Sequence, residues 1–335
     1  MITHSRPWVT DADAGHVAAW ALSGHHLGGF DDAALAGLLA PGDTQCFLFP
    51  SGRMALRAAL AALALPVGGE VIVQTYVCDA VLWAIEACGL VPALCDLDDG
   101  WTCSPATVAA ALSPRSVAIV LAPPFGFAQP ALAFRQFGLP VVSDRCQSAP
   151  HPDAYDTDAD ATVLSFHPTK YVSGAGGGAV LTHREDCLGA LRHDEVAQSQ
   201  SAPWSNLQKA LLSCQLARLH AFEARRDVIF RALRDSLRPA LSARMEMHRS
   251  VAPGRMFRFV VEADEPFGDL RERFAAMGVA VRRGVDSLAH GSRGLPDALF
   301  PAAMARFDAT LSLPFYPALS DTDLARVLSA SEQLL

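Results

Sequence analysis

The chain has 335 residues, 51% of them hydrophobic and 19% charged, with 27 Lys or Arg against 35 Asp or Glu and a formal net charge of −8. So apolar and lightly charged a composition excludes intrinsic disorder, and the negative balance argues against a binder of nucleic-acid backbones. The length suits one large domain or two ordinary ones around a packed core.

The first residues, MITHSRPWVTDADAGH, lack a basic stretch followed by an apolar one, so no signal peptide is expected. Apolar runs such as 55–65 are too short to span a bilayer, which leaves a cytoplasmic location and no membrane partner as the expectation. From about residue 45 to 182, short apolar runs alternate with helical patterns. Strands are predicted at 71–73, 92–95, 117–121, 140–142, 162–166 and 178–181. Helices are predicted at 53–63, 80–88, 105–112 and 130–137, with Ser104-Pro105 supplying an N-cap and a first-turn proline. Strands alternating with helices of this length imply crossovers, hence an α/β fold with a mostly parallel sheet covered on both faces.

After residue 183 the texture changes. Residues 206–237 keep helical spacing without a proline until Pro239, which predicts one long helix. A strand at 256–261, a helix at 269–277, a strand at 279–282 and a helix from Asp321 then suggest a smaller α/β lobe. The eight cysteines show no C-x-x-C spacing and are too sparse for a disulfide scaffold, so most are expected to be small buried hydrophobes in a reducing compartment.

Four clusters carry polar chemistry. Ser51-Gly52-Arg53-Met54 stands where an apolar stretch gives way to an alanine-rich helix. A glycine lets backbone approach a ligand there, and the helix start offers free N–H groups to an anion. An ordinary N-cap serine is the plainer reading. Asp144, in VVSDRCQSA, follows an apolar strand, where ligands of parallel sheets bind, and Gln147 could share its cavity; a helix-capping aspartate is the alternative. In Ser165-Phe166-His167-Pro168-Thr169-Lys170, a lysine past a buried strand can be desolvated into a nucleophile suited to a Schiff base. Most such lysines are simply solvated, and His167 alone is better read as a packed or surface histidine. The run Gly174-Ala175-Gly176-Gly177-Gly178-Ala179 fits G-x-G-x-x-A but precedes a strand instead of opening a helix, so it is a tight loop and not a dinucleotide fingerprint. Among the 11 histidines no H-E-x-x-H occurs, and no metal is expected.

In order and spacing these clusters resemble fold-type-I pyridoxal-phosphate enzymes, and within them the DegT/StrS-type sugar aminotransferases. The resemblance runs from about Cys46 to the C-terminus on SGRMAL, GGEVIVQTYVCDAV, SPRSVAIVLAPPFG, VVSDRCQSA, LSFHPTKYVSGAGGGAVLT and LSLPFYPALSDTDLARV. It implies a mostly parallel central sheet sandwiched by helices, with a cofactor-binding domain over 1–205 and a connecting helix and small C-terminal α/β domain over 206–335. It also implies pyridoxal 5′-phosphate as cofactor, with Lys170 as the Schiff-base lysine and Asp144 as the carboxylate facing the pyridine nitrogen, both catalytic. Gln147 matches the residue near the phenolic oxygen, and Ser165 with the backbone of Gly52, Arg53 and Met54 matches the phosphate cup. The implied activity moves an amino group from an amino acid, glutamate or glutamine, to a keto-sugar, commonly nucleotide-linked, in a homodimer whose sites lie at the interface.

Two departures stand out. Cys78 aligns with the flat residue that relatives stack on the cofactor ring, with Tyr76 two residues before it. Ser199-Gln200-Ser201-Ala202-Pro203 replaces a G-Y-N-Y-R-like stretch, putting Ser201 where an asparagine reaches the partner's phosphate site. Decarboxylation, elimination or amination of a non-sugar carbonyl on the same cofactor, or a cofactor-binding regulatory protein without turnover, are the alternatives these departures leave open.

Overall fold

Runs of valine, isoleucine and leucine, buried on both faces, build the centre of the protein; Val71, Ile72 and Val73, like Ile119, Val120 and Leu121, are almost wholly inaccessible. The computed structural model describes residues 1–23, 30–152, 155–248 and 251–335. Two N-terminal helices, α1 (Asp11–Leu22) and α2 (Asp32–Leu39), precede a sheet of β1 (Gln45–Phe49), β2 (Glu70–Gln74), β3 (Val91–Cys95), β4 (Ser116–Leu121), β5 (Val141–Asp144), β6 (Ala161–Ser165) and β7 (Gly178–Thr182). Their spatial order is β1-β7-β6-β5-β4-β2-β3. β3, β2, β4, β5 and β6 pair parallel, and β7 runs antiparallel to both β6 and β1. β7 reverses because the loop 166–177 holds no helix to carry the chain back across the sheet. The α/β expectation is met.

Between the strands lie α3 (Gly52–Ala62), α4 (Asp79–Glu86) and α5 (Pro105–Ala111). The Ser51 hydroxyl caps α3 by accepting from the Met54 N–H at 3.3 Å, and its alanines pack directly on the sheet. Ser104 and Pro105 start α5 as predicted. The helix expected at 130–137 is instead a 3-10 segment, Ala131–Phe137, closed by Gly138 at φ +66°.

The long helix expected over 206–237 is broken. After α6 (Glu185–Ser201), the chain forms α7 (Asn206–Ala217) and α8 (Leu219–Asp235), with Arg218 between them at φ −105°, ψ 14°. The Arg218 guanidinium is drawn to Asp13 at 2.7 Å and to the Trp8 carbonyl at 3.2 Å, so the helix bends where the N-terminal segment docks. Beyond α9 (Pro239–His248), the expected strand 256–261 shortens to β8 (Phe259–Glu262), because the Phe257 and Arg258 N–H groups turn to the Phe125 carbonyl. α10 (Phe267–Ala276) follows as predicted; the strand expected at 279–282 is reduced to isolated bridges, Ile2 to Val279 and Arg282 to Ser312. α11 (Pro301–Ala309), β9 (Thr310–Leu313), which pairs antiparallel with β8, and α12 (Asp321–Leu334) follow.

A single apolar cluster runs from Tyr76, Trp101 and Phe125 into Phe259, Leu311 and Phe315, so the two parts of the chain share core. All eight cysteines are free, but only Cys95, Cys103 and Cys187 are fully buried. Cys78 is exposed, against the expectation for most of them, because it caps α4 at the rim of a cavity. No helix among the described residues is long and apolar enough to cross a membrane.

Candidate active site

At the carboxyl ends of β2, β4, β5 and β6 lies a cavity of about 390 Å³. Such strand ends present backbone and side chains that no further ladder consumes. Ser51, Gly52, Arg53, Cys78, Asp144, Gln147, Ser165 and Lys170, spread over more than a hundred residues of sequence, all reach its wall. Met54 does not: its N–H is held by the Ser51 cap and its side chain packs in the apolar cluster beneath α3.

Each side chain is set by a local device. Asp144, the buried last residue of β5, accepts the Cys146 N–H on Oδ1 at 2.9 Å. Gln147 accepts the Phe125 N–H on Oε1 at 3.0 Å. A backbone N–H can only meet the amide oxygen, so this bond fixes which way the Gln147 amide faces and frees its NH₂ as a donor. Phe125 itself is held at φ +63°, an uncommon conformation for a bulky residue. The loop after β6 folds over the Phe166 carbonyl, which accepts from Gly174 and Gly176, and places Lys170 with Nζ 5.8 Å from the Phe257 ring centre.

Gly52 shows how tightly the start of α3 meets β6. A Cβ there would sit 2.5 Å from Ser165 Cβ and 2.8 Å from its Oγ. Without one, first-turn N–H groups that have no intrahelical acceptor open beside the Ser165 hydroxyl, a suitable cradle for a phosphate. The donor set therefore fits pyridoxal phosphate: an anion cradle, a carboxylate and an amide donor across the cavity, and a lysine at its end. The glycine run after Lys170 precedes β7, as the sequence indicated, and Gly177 is needed because Trp204 would lie 2.1 Å from a Cβ at that position.

Tyr76 and Cys78 share the wall where a flat residue was sought. Tyr76 is fully buried, edge-on to Phe125 and Phe307, with its hydroxyl accepting from the Gly284 N–H at 3.2 Å. Burial pushes its pKa up to about 12, so it stays a neutral phenol. Burial, with Asp144 beside it, likewise pushes the Cys146 thiol well up. Ser201 ends α6, where its hydroxyl donates to the carbonyls of Ala197 and Gln198 at 3.2 and 3.4 Å. It is engaged in its own helix and does not line the cavity.

His167, Thr169 and Val285 line the cavity without having been singled out for it. His167 Nδ1 lies 3.0 Å from Thr169 Oγ1, and burial followed by the Lys170 charge lowers its pKa below the ordinary histidine value. Its place directly before the Pro168 turn was the available signal. Val285 had none, since its neighbourhood is created by Gly284 approaching Tyr76 and Phe125, where a Cβ would lie 2.7 Å from the Tyr76 hydroxyl.

Residues 11–332 match the DegT/DnrJ/EryC1/StrS aminotransferase family. The chain is 27% identical over 302 residues to the erythromycin biosynthesis sensory transduction protein EryC1 of Saccharopolyspora erythraea, covering 83% of this chain and 82% of that one. It is 25% identical over 314 residues to the dTDP-3-amino-3,4,6-trideoxy-alpha-D-glucose transaminase of Streptomyces venezuelae, covering 84% and 80%. Two solved structures share the fold: DesV of S. venezuelae, at TM-score 0.81 and 24% identity over 99% of this chain and 98% of that one, and PseC of Helicobacter pylori, an aminotransferase involved in pseudoaminic acid biosynthesis, at TM-score 0.81 and 15% identity over the same shares. With nearly its whole length matched and its strand-end cavity suited to the cofactor, this chain belongs to the DegT/DnrJ/EryC1/StrS aminotransferase family.

Proposed function

We propose that this enzyme uses pyridoxal phosphate to take the amino group of an amino acid, glutamate or glutamine, and deliver it to the keto carbon of a sugar, nucleotide-linked as in the S. venezuelae relative. The observation that carries this reading is the convergence of Lys170, Asp144, Gln147, Ser165 and the start of α3 on one cavity. The cofactor supplies the electron sink for the pair left when a substrate Cα–H bond breaks. Asp144 keeps the ring nitrogen protonated by placing a negative charge beside it. Lys170 Nζ would hold the cofactor's aldehyde group and, when free, would carry a proton to or from the substrate Cα. Ser165 and the first-turn amides of α3 anchor the phosphate, and the Gln147 NH₂ donates to the ring hydroxyl oxygen. Cys78, with Val77 and Val81, gives that stretch of the cavity wall a thiol and apolar side chains.

The same reading makes the enzyme a cytoplasmic homodimer, in which a two-fold axis gives each site the same elements from its neighbour. The test is to mix holoenzyme with a panel of amino acids, follow the cofactor spectrum, and chase with nucleotide-linked keto-sugars. Conversion to the pyridoxamine form by glutamate or glutamine, then return with an amino-sugar product, supports the proposal. Released CO₂, or conversion that only a non-sugar carbonyl reverses, refutes it.

A further inference from the structure

Thr169 and Lys170 also line a second, much smaller cavity of about 20 Å³. Residues 4–8 of the N-terminal segment form one of its walls, and Arg226 of α8 forms another. No Asp or Glu lines it, whereas Arg6, Lys170, Arg226 and Arg258 do. Arg226 is buried, and its Nη1 donates to the carbonyls of Met256, Phe257 and Phe315 at 3.4, 3.1 and 3.2 Å. Its Cζ lies 4.4 Å from the centre of the Tyr171 ring and 5.0 Å from that of Phe315. Its Nε is buried with no acceptor, and the Nε of Arg258 is a second orphaned donor of the same kind. Burial pulls the Arg226 pKa down to about 10, so it remains a cation at neutral pH. Its charge is not met from further off. Asp13 is paired with Arg218, Glu223 with Arg255, Asp286 with Arg282 and Asp308 with Arg283. Asp79, even when set wholly against Arg258, still leaves Arg226 without a counter-charge among the described residues.

We propose that this cavity binds one small monovalent inorganic anion, chloride or an ion of its size, held by Arg226 and closed in by the N-terminal segment. A buried charge is costly unless it is paired, and a mobile ion can supply the pairing that no side chain here provides. Size restricts the ligand further. A space of this volume admits one halide ion or a water or two, and neither a sulfate nor the carboxylate of a metabolite. One uncompensated cation also matches one monoanion. The ion and the segment that covers it should reinforce each other. His4 meets Arg258 and Ser312, and the Trp8 carbonyl accepts from Gln215 and Arg218, so the wall formed by residues 4–8 is already tied down on both sides of the cavity. The inference concerns charge balance in the fold and does not depend on which carbonyl the enzyme aminates.

The test uses cofactor-loaded enzyme with sodium bromide as the probe, set against sodium gluconate and sodium sulfate at equal ionic strength. In wild-type crystals soaked in bromide, anomalous density should appear in the cavity beside Arg226. In solution, bromide should raise the unfolding midpoint saturably over gluconate, as a ligand of the native state does. Sulfate should not match it at the same low concentration; general exclusion of salt from the protein surface ranks the two the other way, with sulfate the stronger stabiliser. Arg226→Met should raise the half-stabilising bromide concentration about 10-fold or more, the scale of a lost charge-assisted hydrogen bond, and Arg226→Lys should restore part of the effect. Arg258→Gln should give a smaller shift in the same direction while leaving the Arg226 contacts to Phe257 and Phe315 in place. If Arg226→Met does not fold, the wild-type density and the Arg258→Gln titration decide. A wild-type cavity that holds water without anomalous signal overturns the proposal and makes Arg226 a structural clamp, as does stabilisation by bromide that persists unchanged in the variants.

Discussion

The two faces of the active-site cleft are built differently. On the side of the seven-stranded sheet, the polar groups sit at the ends of adjacent strands β5 and β6, and neighbouring backbone fixes them: Cys146 N–H on Asp144, Phe125 N–H on Gln147, and the loop to Lys170 gathered on the Phe166 carbonyl. On the side of the C-terminal part of the chain, Arg258, Arg282, Gly284 and Val285 belong to segments tied by isolated bridges and by two N–H groups on the Phe125 carbonyl. The rigid face performs chemistry common to many substrates. The loosely tied, charged face is where chain-specific recognition can vary without disturbing the sheet.

If that division is right, the largest losses come from the rigid face. Lys170→Ala should abolish turnover and the borohydride-stable link to the cofactor, while cofactor still binds non-covalently through its phosphate; a label recovered on Lys209 in the wild type would contradict the assignment. Asp144→Asn should come next. The amide cannot favour a protonated ring nitrogen, and each pKa unit lost there is worth about 1.4 kcal/mol, so turnover should fall by about 100-fold or more with cofactor content nearly unchanged. Steady-state rates beside absorbance titration of bound cofactor check this, and wild-type turnover would make Asp144 a structural cap.

The rigid face was also the legible one. Asp144 and Ser165 close the apolar strands β5 and β6, and Gln147 and Lys170 follow a few residues on, so local pattern alone puts them near a strand end. Val285 could not be found this way, because its environment is made by Tyr76 and Phe125 from far along the chain. The helical period runs unbroken through Arg218, yet Asp13 and Trp8 bend the chain there, which is a tertiary contact no periodicity encodes. Residues 279–282 alternate like a strand but find only Ile2 and Ser312 to pair with. β9, Thr310–Leu313, went unpredicted.

A smaller effect probes the charged face through pH. His4 accepts from Arg258 on Nδ1 and lies 3.0 Å from Ser312 Oγ through Nε2. Burial, then the Arg258 charge, holds its pKa well below the ordinary value. The unfolded chain therefore binds the proton more readily than the native one. Stability due to His4 is complete above about pH 6.5 and is lost as pH falls below it, by at most about 1.4 kcal/mol per unit. Urea unfolding between pH 5 and 8 should show this slope shrink in His4→Gln, whose amide oxygen can still accept from Arg258. An identical slope in both proteins would mean that other groups govern acid stability.

The smallest effect is expected from Ser201, which belongs to neither face. The resemblance implies an asparagine at this position reaching the partner's phosphate site, but here the hydroxyl is spent on the carbonyls of Ala197 and Gln198 within α6. Helical back-bonding of this kind adds little stability, and a side chain so engaged has no reach across a dimer interface. The vacant role is not taken up by Trp204 within its own subunit either, since that indole is stacked on Phe166 at 5.9 Å and packed over Gly177. Ser201→Ala should accordingly change cofactor affinity by less than about 1 kcal/mol, the scale of one neutral hydrogen bond, and leave the oligomeric state read by light scattering unaltered. A loss of several kcal/mol would instead show that α6 rearranges on dimerisation to send Ser201 into the neighbouring site, and that the phosphate cradle of Gly52 and Ser165 is incomplete without it.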